Sequence, residues 1–226
     1  MRIDIISAVP DLLMSPLSHS IIQRGQNKGL VKINVHNLRD YAYDKHRQID
    51  DKPFGGGPGM LLKPEPFFEC INTLKKEVNY DHIIFTSPKG KRYNQQIANK
   101  FSLASNILIL AGHYKGIDDR VREVFATDEV SIGDFVLSGG ELPALIIVDS
   151  IVRLIPGVLN DSESALNDSL MDGDKVEPPY YTRPASYEGL NVPEVLLSGN
   201  FKKIEEWKEE QSKILTDKWQ KNNTLE

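Results

Sequence analysis

The chain has 226 residues, 40% of them hydrophobic, and a formal net charge of −5. That is enough apolar material for a real core, arranged as one large domain or as a large one with a small companion. The negative balance excludes a protein that holds nucleic acid by a uniformly basic surface, and a single cysteine excludes an internal disulfide or a cysteine metal cluster. Cys70 reads instead as a small core residue in a reducing compartment.

The opening, MRIDIISAVP, is interrupted by Asp4 and carries no signal-peptide pattern, so Ile3–Val9 is expected to be a first strand and the protein cytoplasmic. Val31–Val35 reads as a second strand. A basic cluster at Lys45-His46-Arg47 precedes Asp50-Asp51 and the glycine loop FGGGPG at 54–59. Pro64 and Pro66 then open a helix with Phe67, Phe68, Ile71 and Leu74 on one face. His82–Thr86 and Asn106–Ala111 are further strands, with a helix starting at Asn94 between them and a basic cluster at Lys89-Gly90-Lys91-Arg92. AGHYKG follows at 111–116, Asp118-Asp119 opens another helix, and a short strand around Val130 leads into SIGDFVLSGG at 131–140 and a helix over Glu141–Ile155. Strands alternating with helices predict an α/β fold with a parallel sheet.

The longest apolar run, Leu142 to Leu159, is broken by Asp149 and Arg153, so no membrane partner is expected. From Asn160 to Ser164 the chain is small and polar and has almost nothing to bury, as a linker does. Domain boundaries follow at 1–160, with a linker over 161–170 and a small helical domain over 171–226. In the last of these, Phe201, Ile204, Trp207 and Ile214 among charges describe an amphipathic helix.

Three glycine loops, two of them directly after strands, are unusual for mere turns, because loops at the carboxyl ends of parallel strands are where open α/β folds bind ligands. No GxGxxG opens a helix after the first strand, and no GxxxxGK[ST], HExxH, CxxC or GxSxG occurs. An ordinary dinucleotide oxidoreductase, a triphosphate enzyme and the familiar hydrolases are therefore disfavoured. The ligand should be one that backbone groups and apolar walls recognise, with no metal demanded.

The segments HRQIDDKPFGGGPGM at 46–60, TSPKG at 86–90, AGHYKGIDDRV at 111–121, SIGDFVLSGGELPALIIVDSIVRLIPGVL at 131–159, NDSL at 167–170, YTRP at 181–184 and VPEVLLSGN at 192–200 occur together in one order. In this the chain resembles the bacterial tRNA (guanine-N1)-methyltransferases of the TrmD type, within the SPOUT class of knotted methyltransferases. The resemblance implies a trefoil-knotted parallel-sheet domain followed by a small helical domain, and a homodimer whose active sites are shared between chains. The implied reaction is methylation of N1 of the guanosine at nucleotide 37 of tRNA, next to the anticodon, with S-adenosylmethionine as donor. A SPOUT enzyme acting on ribosomal RNA is the nearest rival, and a non-catalytic RNA-binding protein a more distant one.

Carried onto this sequence, the resemblance implies a cofactor site built from Thr86, Ser87, Pro88, Gly112, Tyr114, Gly116, Ile132, Gly133, Asp134, Phe135, Val136, Leu137, Gly139, Gly140 and Pro143. It makes Asp168 the general base and Arg153 its electrostatic partner. His46, Arg47, Asp50, Tyr180 and Arg183 become candidate contacts to the RNA. The residues alone read more blandly. Arg153, four after Asp149, has the spacing of a surface ion pair, and Asp168 that of a turn or helix N-cap. Asp50-Asp51 also suits a polar turn, and Tyr180-Tyr181 suits packing or base stacking.

The chemistry supports the implied pair on its own terms. N1 of guanine carries a proton at neutral pH, so its lone pair becomes available only when a base removes it. Negative charge then builds on the neighbouring O6, where a guanidinium is more stabilising in the transition state than in the ground state.

Overall fold

A computed structural model describes residues 1–159, Leu170 and residues 175–223. The chain divides into two compact units, Met1–Ser162 and Glu163–Glu226.

The first unit is organised by a five-stranded parallel sheet: β1 (Arg2–Ser7), β2 (Lys32–Asn37), β5 (His82–Arg92), β6 (Asn106–Ala111) and β7 (Asp128–Ser131), in the order β2-β1-β6-β5-β7. β3 (Asp50–Asp51) and β4 (Leu61–Leu62) pair antiparallel beside it. The strand period of two sends alternate residues to opposite faces. Ile3, Ile5, Ile84, Ile107 and Ile109 enter one apolar cluster, and Ile6, Ile83, Phe85, Leu108 and Leu110 enter the other. Both faces are buried, which explains why these strands are nearly continuous apolar runs rather than alternating ones.

Helices α1 (Asp11–Leu17), α2 (Ser20–Asn27) and α6 (Glu141–Val152) supply the first cluster, joined by Ile97 and Phe101 of α4 (Gln95–Ser102). α3 (Pro64–Glu77) and α5 (Asp119–Phe125) supply the second. The start signals are satisfied as read. The Asn94 side chain accepts from the Ile97 amide at 3.0 Å, and Asp118 accepts from the Arg120 amide at 3.1 Å. α6 stops at Val152 rather than at Ile155, because the amides of Leu154 and Ile155 turn to carbonyls three residues back.

One buried charge sits in the middle of β1. Burial opposes the ionisation of Asp4, but His36, Arg2, Tyr80 and Asn34 all hydrogen-bond to its carboxyl and together hold it well below the ordinary carboxylate range. The network ties β1 to the edge strand β2. Cys70, in α3, is fully buried, and that burial pushes its thiol up to about 12.

The second unit contains a two-stranded hairpin, β8 (Ser186–Tyr187) with β9 (Leu190–Asn191), a short helix α7 (Glu194–Leu197) and the long helix α8 (Phe201–Asn223). The segment from Lys175 onward is stitched to α8: the Ser212 hydroxyl donates to the Val176 carbonyl at 2.5 Å, and the Val176 amide donates to Thr216 Oγ1 at 2.9 Å. Tyr181 packs on Trp207 with ring centres 6.4 Å apart. Among the described residues no helix is long and apolar enough to cross a membrane.

Candidate cofactor cleft

The carboxyl ends of β5, β6 and β7 open into three loops that close around one cleft of about 660 Å³, its mouth included. Each loop has a local reason for its path. At the end of β5, Thr86 and Lys91 both face Val130 of β7, so residues 87–90 bulge out of the ladder. The bulge returns at Gly90, where a Cβ would stand 2.4 Å from the Val130 nitrogen. After β6 the chain turns through Tyr114 and Gly116, at φ of 58° and 127°. After β7, the Ser131 hydroxyl donates to the Gly133 carbonyl at 3.0 Å and shapes the first bend.

Two of these loops are pressed together without intervening side chains. The Gly140 amide donates to the Gly112 carbonyl at 2.6 Å, and His113 pairs with Gly139 in an isolated antiparallel bridge. A Cβ on Gly140 would lie 2.2 Å from Thr86 Oγ1 and 2.8 Å from the Gly112 nitrogen, and one on Gly139 would lie 2.3 Å from Glu141 Oε2. On its other side the 112–118 loop is held by the β4 segment: the Leu62 amide donates to the Gly116 carbonyl and the Asp118 amide to the Leu62 carbonyl, both at 3.0 Å. Main-chain hydrogen bonds between the loops thus fix the shape of the cleft.

The structure brings fourteen of the fifteen sequence-derived cofactor residues to this cleft: Thr86, Ser87, Pro88, Gly112, Tyr114, Gly116, Ile132, Gly133, Phe135, Val136, Leu137, Gly139, Gly140 and Pro143. Asp134 stands outside the lining, exposed and ion-paired with Arg92. Five more residues line it: His113, Lys115, Val130, Ser131 and Ser138. Four of them lie inside the same glycine segments, and Val130 directly precedes one.

Beneath the cleft is a group with no local signal at all. Glu141, the first residue of α6, is 1% exposed, accepts from the Ser7 hydroxyl of β1 at 2.8 Å and faces His113 Nδ1 at 3.4 Å. One carboxylate therefore links β1, the β6 loop and the start of α6.

The remaining candidates are placed as follows. Arg153 is half-buried at the C-terminal end of α6, its amide donating to the Asp149 carbonyl at 3.2 Å. Asp168 lies outside the described residues. His46 and Arg47 are exposed in a turn capped by Asp44, with Arg47 paired to Asp40 at 3.1 Å. Asp50 sits in β3, opposite Leu62. Tyr180 and Arg183 belong to the second unit, where the Tyr180 hydroxyl donates to Glu177 at 2.6 Å.

Parallel strands whose carboxyl ends feed a glycine-walled cleft define an open α/β protein with its candidate ligand site at the strand ends. Residues 1–224 match the family described as tRNA (Guanine-1)-methyltransferase TrmD. A protein of Azobacteroides pseudotrichonymphae named tRNA (guanine-N(1)-)-methyltransferase is 56% identical over 94% of this chain and 95% of its own length. Proteins with the same name from Christiangramia forsetii and Bacteroides thetaiotaomicron are 56% and 54% identical, each over 96% of both chains. The chain belongs to this family of tRNA (guanine-N1)-methyltransferases.

Proposed function

We propose that the protein transfers a methyl group from S-adenosylmethionine to N1 of the guanosine at nucleotide 37 of tRNA, next to the anticodon, in the cytoplasm. The observation that carries the cofactor assignment is the cradle itself. Three loops at the strand ends meet through glycines whose missing Cβ atoms let their main chains touch, and together they enclose a cleft with Leu137 and Pro143 as apolar walls. When bound, the donor would supply an already activated sulfonium methyl, so the protein's work is positioning and proton removal.

Asp168 takes the N1 proton of the target base, and Arg153 stabilises the charge that develops on O6. Arginine fits that task because its planar fork stays charged. His46, Arg47, Asp50, Tyr180 and Arg183 are the proposed RNA contacts. The division of labour follows the sequence boundaries: residues 1–160 hold the cofactor and supply His46, Arg47 and Asp50, 161–170 form a linker, and 171–226 add the other tRNA contacts.

The protein works as a homodimer with active sites shared between chains. Support comes from α6, whose Leu142 and Ile146 stay exposed one helical turn apart, and from Leu12 of α1 and Val136 of the cleft loop, also exposed. Such a surface suits a second copy better than water. A trefoil knot through the cleft loops is part of the same reading, supported by the way residues 112–118 are clasped by residues 60–62 and 139–140.

The test is transfer of labelled methyl from S-adenosylmethionine to an unmodified tRNA, beside the same tRNA with adenosine at nucleotide 37. Labelled 1-methylguanosine from the first and none from the second is the expected result. Equal labelling of both would refute the position, and a different nucleoside would refute the atom.

A further inference from the structure

Among the described residues that line the cleft, Lys115 is the sole lysine, and no arginine, aspartate or glutamate accompanies it. The other polar groups there are hydroxyls, one imidazole and the main chain. No carboxylate among the described residues pairs with Lys115, so its charge is not spent among them.

The side chain is also held in place. Its stem lies along the glycine loop after β3: a Cβ on Gly59 would stand 3.1 Å from Lys115 Cγ and 3.3 Å from Cδ and Cε, while one on Gly57 would stand 3.6 Å from Nζ. Gly57 and Gly59, at φ of 103° and 91°, leave a bare track that any larger residue would fill. The backbone is fixed to the same segment, because the Lys115 amide donates to the Met60 carbonyl at 3.0 Å. Much of the rotamer freedom that a surface lysine would lose on binding is thus already restricted.

A lone ammonium in an otherwise uncharged cleft calls for an anionic oxygen. The adenosine part of the proposed donor needs only hydrogen bonds and apolar walls, and its sulfonium and α-ammonium would be repelled by a lysine. Its carboxylate is the one part that this charge favours. We infer that Lys115 binds the carboxylate at the methionine end of S-adenosylmethionine and so selects donors that carry it, an inference that rests on the cofactor reading proposed above. Selection acts twice, by attraction when the carboxylate is present and by repulsion of the remaining positive charges when it is missing.

The experiment is calorimetric binding, without RNA and at low salt, of S-adenosylmethionine and of its decarboxylated form to the full-length protein, to Lys115→Met and to Lys115→Arg. Methionine keeps the stem on Gly59 and removes only the charge. The native protein should prefer the carboxylated donor by about tenfold, the scale of one charge-assisted contact partly screened by solvent. Lys115→Met should shrink that preference to within about twofold, and Lys115→Arg should restore most of it. An undiminished preference in Lys115→Met, with unchanged melting temperature, overturns the inference. So does normal donor discrimination in Lys115→Met together with a raised KM for tRNA in a separate methyl-transfer assay, which would assign the ammonium to an anionic oxygen of the RNA. If the native protein bound neither compound, the cofactor reading beneath the inference would fall instead.

Discussion

Gly140→Ala tests whether the cleft depends on main-chain contact between its loops. The new methyl would stand 2.2 Å from Thr86 Oγ1, 2.8 Å from the Gly112 nitrogen and 2.9 Å from the Ala111 Cα. Two of these atoms are backbone and cannot swing away. Thr86 is nearly buried and its hydroxyl donates to the Leu110 carbonyl at 3.0 Å, so rotating it sacrifices that bond. Relief to an ordinary contact therefore needs the start of α6 to move away from the β6 loop by roughly 1 Å, stretching the Gly140–Gly112 hydrogen bond as well. Overpacking of this kind costs roughly 1–3 kcal/mol, and the lost hydrogen bond adds about 1 kcal/mol. Urea unfolding should show a loss of about 2–4 kcal/mol on that basis, and calorimetry should show S-adenosylmethionine binding weakened by at least tenfold. Gly29→Ala is the control. Nothing lies within 4 Å of its added Cβ, and only its φ of 68° opposes the change, so stability should fall by about 1 kcal/mol and cofactor binding should hold. If Gly140→Ala matched the native protein in both measurements, the close approach of the two loops would not be what builds the cleft.

The other predictions probe separate parts of the structure. Asp4 has a depressed folded pKa, so its network contributes fully above about pH 4, the unfolded value, and that contribution is lost as pH falls through the folded one. Asp4→Asn should cost about 2–4 kcal/mol at pH 7 and flatten the acid limb of stability against pH; an unchanged limb would show that other carboxylates control it. Cys70, buried and with its thiol pushed up to about 12, should react with a thiol reagent only as fast as the protein opens. Rapid modification of the native protein would contradict that. Asp168→Asn should slow single-turnover methyl transfer by roughly 10²–10⁴-fold while leaving cofactor affinity unchanged, and near-native rates would return Asp168 to a turn residue. Arg153→Lys should also slow the step, with less than additive loss in the double variant.

The sheet was legible because its strands are short apolar runs bounded by polar residues, and Asn106–Ala111 was located to the residue. β5 was read too short. The sequence reading stopped at Thr86, where TSPKG looks like a loop, but the chain bulges and rejoins β7 at Lys91. That return depends on Gly90 lying against Val130, a contact that spans 40 positions and leaves no local trace. The cleft was legible for the opposite reason: its contacts are made by glycines, and glycine clusters are visible in any sequence. Glu141 escaped notice because its partner Ser7 lies 134 residues away.

The most direct test of the account is where the methyl donor sits. A crystal structure of the protein with S-adenosylmethionine should show it between Thr86, the Gly112–Gly116 turn and the Ile132–Gly140 loop, touching chiefly main-chain groups. Donor bound elsewhere on the sheet, with this cleft filled only by solvent, would contradict the account.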